Sequence, residues 1–237
     1  MTVPLLPDFG DDGRWDVPTA EVFERLATEA IPLELAVGGT DRSFHRDVYF
    51  DTEDNALHAR GVSCLVRHAS DGRHRLVVTV VTEGNGVASL RHVATDLPGG
   101  DERRWLDGDN EGSRLLRSIV NPTLLGPRLE LEVERLTRMA SSGGWWRRAT
   151  FALAYDAVTV RSSGLARPFH ELALHAVKPG RPSADDVARA LRETYGLRSL
   201  TLDRQQRGEQ LRSALESEAL ARRVGSGRWV AVVALDG

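Results

Sequence analysis

The 237-residue chain has one cysteine, Cys64, and one lysine, Lys178. A lone cysteine excludes an intrachain disulfide framework and a thiolate metal cluster. Within the strand-like run GVSCLVR, Cys64 reads as a buried packing residue rather than a reactive thiol. No segment approaches the ~18 consecutive apolar residues of a membrane span. The opening MTVPLLPDFGDDG lacks both the basic flank and the apolar core of a signal peptide, so a cytoplasmic protein with no membrane partner is expected. A net charge of −3 leaves no surface-wide footprint for nucleic acid, and none is expected as a partner. Internal repeats and low-complexity tracts are also missing.

With lysine almost absent, the cations are guanidiniums, which form forked hydrogen bonds to phosphate and keep their charge when partly buried. Codon usage in a GC-rich genome accounts for the ratio, though not for where the arginines sit. Hydrophobic residues make up 41% of the chain, ample for a core. One domain is expected over residues 12–224, after an irregular N-terminus at 1–11. Residues 225–237, with RWVAVVAL, read as a C-terminal strand or the start of a further segment.

Strands are expected at 13–17, 32–37, 46–51, 61–68, 73–82, 87–97, 128–138, 148–155, 157–161 and 169–178, many of them alternating with period 2. Helices are expected after Pro18–Thr19, at 111–120, at 184–195 behind Ser183, and at 205–223; PGGDERRWLDGDNEG at 98–112 reads as a loop or linker. Many strands with few helices between them give an α+β, antiparallel sheet closed into a barrel or folded as a sandwich.

The faces are mixed. RLELEVERLTR puts Glu130, Glu132 and Glu134 on one side of its strand, with Leu131 and Val133 on the other, and the plain reading of that acidic stripe is a wet outer face. The neighbouring strands carry Arg67, and Arg73 with Arg75, among apolar residues. Such faces suit a barrel with a partly wet interior.

The order of YFDTEDNALHARGVSCLVR, ALAYDAVTV, FHELALHAVKPG and DRQQRGEQL resembles the CYTH family, the triphosphate tunnel metalloenzymes, over about residues 12–212. The resemblance implies an eight-stranded antiparallel tunnel with helices packed outside, a bound triphosphate, divalent metal held by glutamates, and hydrolysis of triphosphates or cyclisation of ATP. Against the family's E-x-E-x-K, this chain has Gly10, Asp12 and Arg14. Its "LR.R" becomes Leu65 and Arg67, the lysine of the next strand becomes Thr79, the glutamate after Arg91 becomes Val93, the late acidic triplet becomes Glu171, Ala173 and His175, and the closing serine–lysine pair becomes Asp203–Arg204.

Carried over position by position, the resemblance implies phosphate-binding Arg14, Arg67, Arg75, Arg91, Arg138 and Arg204, metal-binding Asp12 and Glu171, and Glu171 or Glu132 as catalytic bases, with Mg²⁺ or Mn²⁺ as the cofactor. Asp156 reads as a group that holds an arginine in place inside the sheet. Two functions stay open: metal-dependent hydrolysis of a triphosphate, polyphosphate or nucleoside triphosphate, and a catalytically inactive module that senses or positions a phosphate-rich ligand or partner protein. A homodimer is left open.

Overall fold

The computed structural model describes residues 13–84, 87–99, 102–143, 148–200 and 202–225. Asp12 and the strand expected at 228–235 lie outside them. Nine strands form one sheet: β1 Arg14–Val17, β2 Ala36–Asp51, β3 Val62–Ala69, β4 His74–Gly84, β5 Val87–Leu97, β6 Gly126–Ser141, β7 Thr150–Ser162, β8 Leu165–Lys178 and β9 Arg198–Ser199. Their order is β5-β4-β3-β2-β6-β7-β8-β1-β9, and neighbours run antiparallel throughout. The antiparallel α+β architecture is as expected. Among the described residues the strand count is nine rather than eight, and the sheet is not closed, since β5 and β9 are its edges.

The helices are α1 Ala20–Thr28, α2 Glu102–Leu106, α3 Glu111–Arg117, α4 Ala184–Tyr195 and α5 Arg204–Gly225. Thr19 Oγ1 accepts from Val22 N to start α1, and Ser183 and Asp186 form a reciprocal capping box at α4. One outer face of the sheet, with Leu153, Tyr155, Leu172 and Leu174, packs under Leu26 of α1 and Val187 and Leu191 of α4. The other outer half, with Val48, Cys64, Val66, Leu76 and Val78, packs under Trp105 and Leu106 of α2 and Leu116 of α3. Cys64 is a buried packing residue, and burial pushes its thiol pKa well above the ordinary value.

Two elements differ from those expected. β2 runs sixteen residues, although 38–43 reads GGTDRS. Its first half is exposed yet paired along its length with β6, so main-chain hydrogen bonding holds it where the side chains give no apolar signal. Residues 98–112 include α2, whose buried side chains among those described, Trp105 and Leu106, are adjacent in sequence and show no helical period.

The YFDT segment has a local structural purpose. Asp51 Oδ1 accepts from Thr52 N at 2.7 Å and Leu57 N at 2.9 Å, and its Oδ2 accepts from His58 N at 3.0 Å. This pins the turn that buries Leu57, and Gly61, at φ +68°, then takes the left-handed conformation that leads into β3.

Candidate ligand site on the inner face

Register fixes which side chains share the inner face. Asp47 pairs with Arg67, and Arg67 with Arg75; Arg135 pairs with Asp156, and Asp156 with Glu171, which faces Asp16 of β1. Paired residues of an antiparallel ladder point to the same side. The sheet curls around that side: Val77 of β4 and Phe169 of β8 belong to one buried cluster with Leu131, Val158 and Leu215 of α5. Thus α5 lies against the inner face while α1 to α4 cover the outside. Gly208 permits its approach, since a Cβ there would stand 2.7 Å from Leu129 Cδ2 and 3.0 Å from Leu131 Cδ2.

The first turn of α5 enters a buried ion cluster. Asp156 accepts a fork from Arg135, with Nε and Nη2 each at 2.7 Å, and a further bond from Arg204 Nη2. Glu171 Oε2 accepts from Arg204 Nε at 2.9 Å and Nη2 at 2.7 Å, and also from Arg14 Nη2. Burial alone would raise both carboxyl pKa values, yet Arg135 and Arg204 hold Asp156 far below the ordinary range, and Arg204 and Arg14 hold Glu171 below it. Both are ionised at neutral pH. A second fork joins Arg67 to Asp47 at 2.7 and 2.6 Å. Between the two clusters sits His45, 1% exposed, with Nε2 3.7 Å from Asp47 Oδ2. Burial, then Arg67, push its pKa down to about 4, so this ring is neutral at pH 7.

Beside the α5 end of the cluster lies a cavity of about 370 Å³, bordered by Arg14 and Arg204, by Ser63 and Gln205, and by Tyr49, Leu65 and Val81. Ser63 Oγ donates to Gln205 Oε1 at 2.8 Å, tying β3 to the start of α5. Arg14 of β1 and Val81 of β4 meet here across the curl of the sheet.

No family model matches the chain, and no curated protein matches it. Solved structures do. A candidate adenylate cyclase from Bacillus halodurans superposes with a TM-score of 0.52 at 16% identity, covering 82% of this chain and 94% of its own. An adenylyl cyclase candidate from Hippeastrum, described as having a dominant triphosphatase activity, superposes with a TM-score of 0.55 at 12% identity, covering 81% and 90%. The likeness is one of fold.

Within that fold, Arg14, Arg67, Arg75, Arg204 and Glu171 share the inner face. Arg67 and Arg75 are committed to Asp47 and Asp96, whereas Arg14 and Arg204 border the cavity. Three expected residues point the other way and are corrected. Arg138 is buried on the outer side, where Nη1 donates to Leu26 O at 2.8 Å and secures the end of α1. Arg91 is exposed toward α3, 3.8 Å from Glu111. Glu132 pairs with Arg161 on the outer surface at 2.9 Å, where it faces no inner-face group and has no base to offer there.

Glu171 does not fit a divalent cation. Its Oε2 receives two guanidiniums, only the buried Oε1 is left without a hydrogen-bond partner, and among the described residues no three His, Cys, Asp or Glu side chains converge on a metal position. Arg135, Asp47 and His45 are the inner-face residues that sequence reasoning missed. Parity held a signal for the first: Arg135 has the phase of Leu131 and Val133, and Arg138 that of the exposed glutamates. Asp47 and His45 carry no such signal, because β2 alternates weakly.

Proposed function

We propose that the chain is a binding module that keeps the tunnel architecture and holds a phosphate-bearing ligand at the cavity beside α5 without metal-assisted turnover. The observation that carries this reading is Glu171: the carboxylate that the CYTH resemblance would give to a metal is taken by Arg14 and Arg204. Phosphoryl transfer depends on positioning and on charge neutralisation around the moving group, and here the inner-face guanidiniums spend much of their charge on Asp47, Asp96, Asp156 and Glu171. Arg14 and Arg204 border the cavity, and their positive charge there orients an anionic group.

A second reading, hydrolysis of a triphosphate with Mg²⁺ or Mn²⁺, is favoured by the triphosphatase activity named for the Hippeastrum structure. Phosphate release from tripolyphosphate and ATP with each metal separates the two. The expected result is no release above the protein-free blank, with a raised melting temperature in the presence of at least one phosphate-bearing ligand. Metal-dependent release would overturn the binding reading.

A further inference from the structure

The cavity has two chemically distinct ends. At one, Arg14 and Arg204 emerge from a cluster that, among the described residues, sets Arg14, Arg135 and Arg204 against Asp156 and Glu171. Away from them, Tyr49 and Leu65 are buried wall and Val81 is a large apolar side chain left 43% exposed, with Ser63 and Thr79 paired between Leu65 and Val81, and Asp203 also lines the cavity. A chain of phosphates would bring several negative charges into a space where the guanidiniums already face carboxylates and Asp203 adds another, and it would lay part of its length along Leu65 and Val81. Desolvating that much charge without full pairing is costly. One anionic group at the arginine end, with an apolar body covering Val81, matches both ends. The volume of about 370 Å³ is at the small end of the ~300–1,000 Å³ range of ligand pockets.

Building on the binding reading above, we infer that the ligand is a small amphiphile with a single anionic head, a phosphate monoester, on an aryl or short alkyl body. The head sits against Arg14 and Arg204, the body lies along Tyr49, Leu65 and Val81, and no metal takes part.

Calorimetric titration of the full chain in EDTA with 1-naphthyl phosphate, 1-naphthoate, 1-naphthol, inorganic phosphate and tripolyphosphate tests this. 1-Naphthyl phosphate should bind at least about tenfold tighter than naphthol, which lacks the charge, and than inorganic phosphate, which lacks the body. 1-Naphthoate binding more tightly than 1-naphthyl phosphate would overturn the phosphate head, and replacing EDTA by Mg²⁺ should leave both affinities unchanged. Val81→Glu changes an exposed position and should fold with an unchanged melting temperature while weakening 1-naphthyl phosphate at least about tenfold. Naphthol binding as tightly as 1-naphthyl phosphate, a Val81→Glu variant with full affinity, or no probe binding would overturn the inference. So would tripolyphosphate binding more tightly than 1-naphthyl phosphate; without phosphate release, that result leaves the binding reading standing. Phosphate release overturns the binding reading whatever the order of affinities.

Discussion

The two faces of the sheet carry the same arginine–carboxylate chemistry under opposite conditions. On the outer face, Arg42–Glu134, Arg46–Glu130 and Arg161–Glu132 form a ladder across β2, β6 and β7 with side chains in water. On the inner face, Arg67–Asp47 and Arg135–Asp156 are forked and sealed, none of the four residues more than 5% exposed. Exposed pairs contribute ~0–1 kcal/mol because water screens them. Buried pairs recover their desolvation cost only while both members are present. The difference teaches that inner-face arginines identify themselves by their partners, and that a guanidinium on a tunnel strand need not be free to hold a ligand.

The largest expected effect comes from breaking a sealed pair. Asp47→Leu leaves Arg67 buried without its forked acceptor, and Arg67→Met strands Asp47; each should cost about 3–5 kcal/mol in urea unfolding. The double variant should recover most of that loss, since two apolar groups of similar size replace the pair. Single losses below about 1 kcal/mol would place these residues in the same energetic class as the outer ladder.

His45 sharpens the contrast through pH. Its folded pKa is lowered to about 4 from an unfolded value near 6.5. Between those limits the unfolded chain takes up a proton that the folded chain refuses, so stability falls as pH falls through this window, by about 3 kcal/mol in total. Asp156 and Glu171 act in a separate window: their folded pKa values are lowered, so their contribution is present above the ordinary carboxylate pKa and is lost only below it. Urea midpoints for the wild type and His45→Leu at several pH values from 4 to 7 test the assignment. The variant should flatten the dependence above pH 4, and an unchanged slope would remove His45 as its source.

How much of this was legible follows from what each residue's surroundings demand. Strands with one apolar parity, such as β6, declared their faces though not their order in the sheet, and the capping signals at Thr19 and Ser183 fixed two helix starts. Of the six arginine positions carried over by resemblance, Arg14, Arg67, Arg75 and Arg204 fall on the inner face and Arg91 and Arg138 on the outer, because a family position gives an element but this chain's register decides the side. Arg138 shows the consequence: it is buried, as a site residue would be, yet it serves the carbonyl of Leu26 on the far side of β6. The partnership of α5 with the inner face was invisible, since Arg204, Gly208, Leu211 and Leu215 form a helical stripe whose acceptors lie far away in sequence.

The smallest expected effect lies on the outer ladder. Arg42 and Glu134 approach to 3.2 Å with 73% and 60% of their side chains exposed. At that exposure each charge keeps most of its hydration when the other is removed, so no stranded ion results. Arg42→Ala and Glu134→Ala should each change stability by less than about 1 kcal/mol, and the loss should shrink further at 1 M salt, where the screening length falls to about 3 Å. The Asp47–Arg67 pair, out of reach of ions, should keep nearly its full effect in the same salt. A salt-insensitive loss at Arg42 equal to that at Arg67 would show that the outer face is covered in solution, and the contrast between the two faces would fail there.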